Sequence, residues 1–279
     1  MIIHSSLKVD ITYYYMQWFI NRLKSGFFDI PSEKQGKILR YDFRINPIEK
    51  IYLHTKNPIN IIKHYNDLKF FNYNYEIITH LAMYDKFYEP KICSKQKIFD
   101  QIRECKNLIG KENNSLCYGP IFKTFNNDIN WHVSQFRFLC MILNTSVSTV
   151  YYDFSIKNSI CKNSNTYGAT EFTKEEQEEI IKAFQEIANS YNLELKPIMA
   201  IETLTHNEID IGEINTCLAA CKYCKYITNT KTPIIKNKKH SPASSLLIGN
   251  VSIDDKIIEV NLSENNKNKD KSSSLFDFM

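Results

Sequence analysis

Short apolar runs alternate along this chain with longer stretches whose apolar residues recur every three or four positions. Ile2–Ile3 opens as a strand. Tyr13–Lys24 follows as an amphipathic helix carrying Trp18, Ile20 and Leu23, and Gly26 ends it. Ile51–Leu53 is a compact strand, and Pro58 opens the next helical stretch, where a missing amide costs nothing. Tyr75–Thr79 reads as a strand, and Ser94–Ile109 as a helix closed by Gly110. Leu116–Phe122 is strand-like but interrupted by Gly119–Pro120, and Trp131–Leu143 is helical. Val147–Phe154 is rich in Val, Thr and Tyr, hence a strand. Thr173 and Glu176 form a capping box at the start of a helix reaching Ser190, and Leu193–Met199 is the next strand.

Strand and helix thus alternate about six times, which implies an α/β fold with a parallel sheet and helices outside it. A partial or closed TIM-like (β/α) barrel with about six strands is the natural form. The barrel domain is expected over 1–204, with a cysteine-cluster segment over 205–262 packed on it. Within that segment, 209–242 reads as loop and Ile248–Val260 as a small hairpin around Asp254–Asp255. The repetitive polar stretch 263–279 reads as a disordered tail. Ligands of such folds meet the carboxyl ends of the strands. That directs attention to His4–Ser6, His54–Asn57, His80, Tyr118–Pro120 and Glu202. Histidines at strand ends are often structural donors, so none of His4, His54 and His80 is singled out.

Composition narrows the picture in two ways. The length of 279 residues suits one barrel-sized domain, and a net charge of +4 is too mild to identify a nucleic-acid binder. No long apolar run occurs, so the chain is expected to be soluble and cytoplasmic, without a membrane partner. Eight cysteines without a secretory leader argue against a disulfide framework. Cys93, Cys105, Cys117, Cys140 and Cys161 are scattered and are read as reduced and structural.

Cys217, Cys221 and Cys224 are different: their spacing brings three thiolates onto one short loop. Thiolate groups of this kind select zinc, copper(I) or an iron–sulfur cluster. A closed zinc site needs a fourth ligand, and His206 and His240 are the distant candidates. The Cys-x3-Cys-x2-Cys spacing with Tyr223 before the last cysteine resembles the signature of the radical S-adenosylmethionine superfamily. The longer string Asp210–Thr216 leading into it resembles the DUF1848 family, which is similar to spore photoproduct lyase. Thr55-Lys56-Asn57-Pro58, Asp10 with the Tyr15–Arg22 helix, and His240–Leu247 resemble further segments of that family. Ser6–Asp10 and Tyr118-Gly119-Pro120 depart from it, where the family has Ser-Arg-Arg-Thr-Asp and Tyr-Asp-Pro.

The resemblance implies a [4Fe–4S] cluster on Cys217, Cys221 and Cys224, its open iron binding S-adenosylmethionine. It implies an external electron donor and a 5′-deoxyadenosyl radical that abstracts hydrogen from an unknown substrate, related to nucleic acid. Tyr223 and Thr55 are the implied cofactor-side residues, and Lys56, Asn57 and Tyr118 the implied catalytic wall. In the superfamily the motif follows the first strand, whereas here it lies near the C-terminus. A permuted strand order could still bring it to the carboxyl ends of the strands. The alternative is a non-enzymatic iron–sulfur or zinc protein that binds nucleic acid or a protein partner. The closing Ser-Leu-Phe-Asp-Phe reads either as a short linear binding motif or as a frayed end.

Overall fold

The computed structural model describes residues 1–32, 36–155 and 169–263. Strand β1 (Ile2–His4) leads into helices α1 (Ile11–Tyr14) and α2 (Met16–Ser25), then β2 (Phe27–Pro31) and β3 (Lys37–Asp42). Next come β4 (Lys50–Thr55), α3 (Ile59–Lys63), α4 (Tyr65–Phe70), β5 (Tyr75–Leu81) and α5 (Lys95–Ile109). β6 (Asn114–Tyr118), α6 (Ile129–Leu143), β7 (Thr149–Tyr152), α7 (Lys174–Ser190) and β8 (Glu194–Pro197) follow. β9 (Glu208–Asp210), α8 (Lys231–Asn237) and β10 (Lys256–Glu259) complete the described chain.

Seven strands form one parallel sheet in the order β8-β7-β6-β5-β4-β1-β9, curled into a half-barrel. The closed, six-stranded alternative does not hold. Among the described residues β8 and β9 each pair on one side only, so the curl stays open. The additional strand is β9, which comes from the segment read as following the barrel. Its three residues are too few to show a period. β2 and β3 pair antiparallel, and β10 adds to β3 in parallel, making a separate three-stranded sheet. The terminal hairpin expected over Ile248–Val260 is therefore a single strand bound to residues far upstream. The tail from 264 onward, with its Ser-Leu-Phe-Asp-Phe ending, and Cys161 lie outside the described residues. Among the described residues no helix is long and apolar enough to cross a membrane.

The register divides each strand into two faces. Ile3, Leu53, Ile77, Leu116 and Val150 point outward and are buried against the helices. Phe136 of α6 stacks on Phe184 of α7 with ring centroids 3.8 Å apart, and both are fully buried. Burying a ring of this size stabilises by roughly 1.5–3 kcal/mol. α7 is opened by the expected capping box, with the Thr173 side chain accepting from Glu176 N and Glu176 from Thr173 N. α6 is capped by Asp128, whose carboxylate accepts from Trp131 N at 2.8 Å. The inner face of the curl carries His4, Tyr52, His54, Glu76, His80 and Tyr151. Its polar groups are paired: Glu76 accepts from Ser115 Oγ at 2.8 Å, Tyr151 Oη at 3.2 Å and Lys50 Nζ at 2.6 Å.

The outer core holds one histidine, His132. Its Nε2–H donates to the Phe122 carbonyl at 2.9 Å, and Nδ1 accepts from Tyr118 Oη at 2.9 Å. Burial lowers its pKa from 6.5 to about 4. A folded-state pKa below the unfolded one gives stability that is complete above the unfolded value and lost as pH falls through the folded one. The urea midpoint is expected to fall as pH drops from 6.5 toward 4, and less steeply in His132→Gln. Equal slopes in the two proteins would remove His132 from the acid response.

Candidate active site at the carboxyl ends of the strands

A cleft of about 140 Å³ opens at the carboxyl end of the sheet. Its wall is built from the segments that follow the strands: 6–10 after β1, Thr55 and Lys56 at β4, His80 at β5 and Gly119–Pro120 after β6. Asp153 and Ser155 after β7 and 198–200 after β8 continue it. The loop that leaves β9 closes the remaining side with Cys217, Cys221, Tyr223 and Cys224. The cysteine loop therefore stands at the carboxyl ends of the strands, because β9 lies beside β1 in the sheet. This is the end where parallel α/β folds gather their ligand-binding loops.

Close contacts fix that loop. The Asp210 carboxylate accepts from Leu7 N at 2.6 Å and Gly212 N at 2.9 Å, tying β9 to the segment after β1. A Cβ on Gly212 would come within 2.0 Å of Ser6 Oγ, so only glycine allows this approach. Asn215 N donates to the Tyr226 carbonyl at 2.9 Å, closing the base of the loop. Tyr15 Oη donates to the Thr216 carbonyl at 2.8 Å, and Lys222 N to the Tyr88 carbonyl at 3.0 Å. Ala220 adopts a left-handed backbone with φ of 58°, which reverses the chain between the first two cysteines. A residue with a Cβ pays on the order of 1 kcal/mol for that conformation.

The sulfur environments follow from these contacts. Cys217 Sγ accepts from the backbone amides of Asp10 and Ala219, and Cys221 is hydrogen-bonded to the Tyr223 side chain. Burial pushes both thiols up to about 12. As free groups they stay protonated at neutral pH, and a bound cation would be needed to ionise them. Among the described residues, no three His, Cys, Asp or Glu side chains are assembled around a single metal-ion position. The donor set nonetheless suits an iron–sulfur cluster. Cys217, Cys221 and Cys224 would hold such a cluster without their sulfurs meeting at one ion, and the amide donors to Cys217 would tune it.

Beside the cysteines lies a buried charge network. Glu89, 2% exposed in its side chain, pairs with Lys56 Nζ at 2.9 Å and with Lys95. Lys56 Nζ also donates to Tyr223 Oη at 2.8 Å, and Tyr223 Oη donates to Glu89. Burial alone would raise Glu89, but Lys56 and Lys95 overcome it and hold the carboxyl below its usual range. Burial likewise opposes the Lys56 charge, and Glu89 outweighs it, so Lys56 stays cationic. Asp10 joins the loops on the other side. Its carboxylate accepts from Lys56 N at 2.7 Å, Thr55 Oγ1 at 3.1 Å and Tyr13 N at 3.0 Å. Burial raises Asp10 to about 6 against the pull of those donors.

Of the residues named from sequence, Cys217, Cys221, Cys224, Tyr223, Thr55 and Lys56 meet at this cleft. Two do not line it. Tyr118 is turned outward by its pairing with Leu81 and is buried in the helix-facing core, bonded to His132. The wall at this strand end is Gly119–Pro120 instead. Asn57 is buried at the start of α3, where its Oδ1 accepts from Ile59 N at 3.3 Å. Sequence reasoning passed over Glu89, which sits in a loop with no period and no motif around it.

Residues 2–209 match the family model described as a domain of unknown function, DUF1848. The match takes in Asp10, the Tyr15–Arg22 segment and Thr55–Pro58, and it ends before Cys217. No curated protein and no solved structure matches the chain. With well over half of its length matched, from β1 into β9, the chain belongs to the DUF1848 family.

Proposed function

We propose that the protein is a radical S-adenosylmethionine enzyme whose Cys217, Cys221 and Cys224 hold a [4Fe–4S] cluster. The observation that carries this reading is the meeting of three thiols from one loop on a cleft at the carboxyl ends of parallel strands. When bound, such a cluster supplies the single electron that cleaves S-adenosylmethionine. The chain's own residues hold and shield that site. The Asp10 and Ala219 amides support the Cys217 sulfur. The Asp10 carboxylate fixes the Thr55–Lys56 turn opposite the cysteine loop. Lys56 and Glu89 hold the Tyr223 hydroxyl, so that its ring forms part of the wall. The strand order supports the reading too. Read from β9, the sheet runs β9-β1-β4-β5-β6-β7-β8, with the motif after the first strand of the row.

The test is anaerobic reconstitution of the full chain with iron and sulfide, reduction, and addition of S-adenosylmethionine. The expected result is about four irons per chain, a reduced-cluster electron-paramagnetic signal, and release of 5′-deoxyadenosine. Stoichiometric zinc without cleavage would replace this reading with that of a non-enzymatic metal protein. Repeating the assay with added single-stranded DNA or RNA tests the nucleic-acid substrate class. Stimulated release of 5′-deoxyadenosine is the outcome expected of a substrate.

A further inference from the structure

Three histidines form a continuous row across the inner face of the half-barrel. His4 of β1 presents Nε2 to Glu208 Oε1 of β9 at 3.5 Å. Its Nδ1 lies 3.1 Å from His54 Nε2 of β4. His54 Nδ1 lies 2.9 Å from His80 Nε2 of β5. His4 and His54 therefore each turn Nε2 toward β9 and Nδ1 toward the next strand, and His80 turns Nε2 toward His54. His4 and His54 are buried, whereas His80 is partly exposed and lines the cleft. Among the described residues His80 Nδ1 has no hydrogen-bond partner.

We propose that Glu208, His4, His54 and His80 are a directional proton relay, with His80 Nδ1 the catalytic base for a substrate hydroxyl or amine bound in the cleft. A neutral imidazole carries one N–H, so each N···N contact holds one proton. An ionised Glu208 accepts from His4 Nε2–H, which leaves His4 Nδ1 to accept from His54 Nε2–H. His54 Nδ1 then accepts from His80 Nε2–H, and His80 Nδ1 is left bare at the cleft. When the substrate O–H or N–H bond breaks, its proton forms Nδ1–H on His80. His80 passes its Nε2 proton to His54, His54 to His4, and His4 to the Glu208 carboxylate. Glu208, 12% exposed in its side chain, returns that proton to solvent. No electrons change hands, and the reverse hops reset the row: Glu208 takes up a proton, each ring regains its Nε2–H, and His80 Nδ1–H gives its proton to the product in the cleft.

The surrounding charges set the direction. His80 faces Lys56, whose cation opposes a proton resting there. His54 faces only His4 and His80 among titratable groups that act on it. His4 faces Glu208 and Asp210, which favour the proton, and stacks on Tyr52 with centroids 5.0 Å apart. An excess proton thus runs downhill from the cation at the cleft to the carboxylate at the sheet edge. Burial lowers all three rings below 6.5, which keeps them neutral and able to conduct. The relay does not depend on what the cysteines hold.

The test is nitrogen-15 NMR of the full chain labelled at histidine, with each ring assigned by single substitutions. In the wild type at neutral pH, His4, His54 and His80 are expected as pure Nε2–H tautomers. Glu208→Gln removes the terminal anion and is expected to move the His80 Nδ1 signal from that of a bare nitrogen toward a protonated one. Unchanged His80 in that variant would reduce the row to structural packing. A wild-type His54 protonated at Nδ1 would overturn the proposal without any variant. Failure of the cluster assay would leave both readouts standing.

Discussion

Glu89→Ala is expected to destabilise the protein by roughly 3–5 kcal/mol, the cost of leaving buried charges without their partner. Lys56 and Lys95 both end on this carboxylate, and their side chains are only 17% and 22% exposed. Without Glu89 the two ammonium groups face each other and the Tyr223 hydroxyl in a site that burial already disfavours for charge. Partial access of water to both lysines pulls the cost toward the lower end. Glu89→Gln keeps the shape and one acceptor, so it should fall between wild type and Ala. A Lys56→Met, Glu89→Leu, Lys95→Met triple variant should recover much of the loss, since well-packed apolar groups often match a buried ion triad. Urea unfolding of the four proteins measures this. A loss below about 1 kcal/mol in Glu89→Ala would show that solvent replaces the carboxylate.

Each of Cys217→Ser, Cys221→Ser and Cys224→Ser is expected to lower iron retained after reconstitution by on the order of tenfold or more. Three cysteines leave no spare thiolate on the loop, and the remaining described cysteines lie in other elements. Cys93→Ser, at a half-buried position before α5, is the control and should retain wild-type iron. The variants should also separate the sulfurs. Cys217 has two amide donors where Cys221 has the Tyr223 side chain, so its loss should disturb the spectrum of any residual cluster more than the loss of Cys221. Wild-type iron in any of the three would exclude that cysteine as a ligand.

The alternation of elements was readable because it depends on burial. Ile51, Leu53 and Ile77 are buried under the helices, and the Thr173–Glu176 capping box forms as its spacing requires. Facing was not readable at β6, where every residue is buried and polarity carries no period. Tyr118 was therefore placed on the cleft side, while Leu81 pairing turns it to the core. β9 and the β10–β3 pairing depend on partners far away in sequence, which local patterns do not report. The cysteine loop was legible because ligand spacing is local. Glu89 and the histidine row were not, since their meaning arises only when β1, β4, β5 and β9 lie side by side.

That adjacency has a consequence for how the protein is made. β1 precedes the other strands of its sheet along the chain, and one of its two neighbours, β9, is made roughly two hundred residues later. Until then Ile2–His4 is a bare sheet edge in a growing polypeptide, open to pairing with another chain. Closing so long a loop is slow compared with forming β4–β5 or β5–β6, whose strands are near neighbours. The cysteine loop and the Glu208 end of the histidine row arrive with that late strand. A nascent or truncated chain can thus build most of the scaffold, and only the finished one brings its reactive groups together.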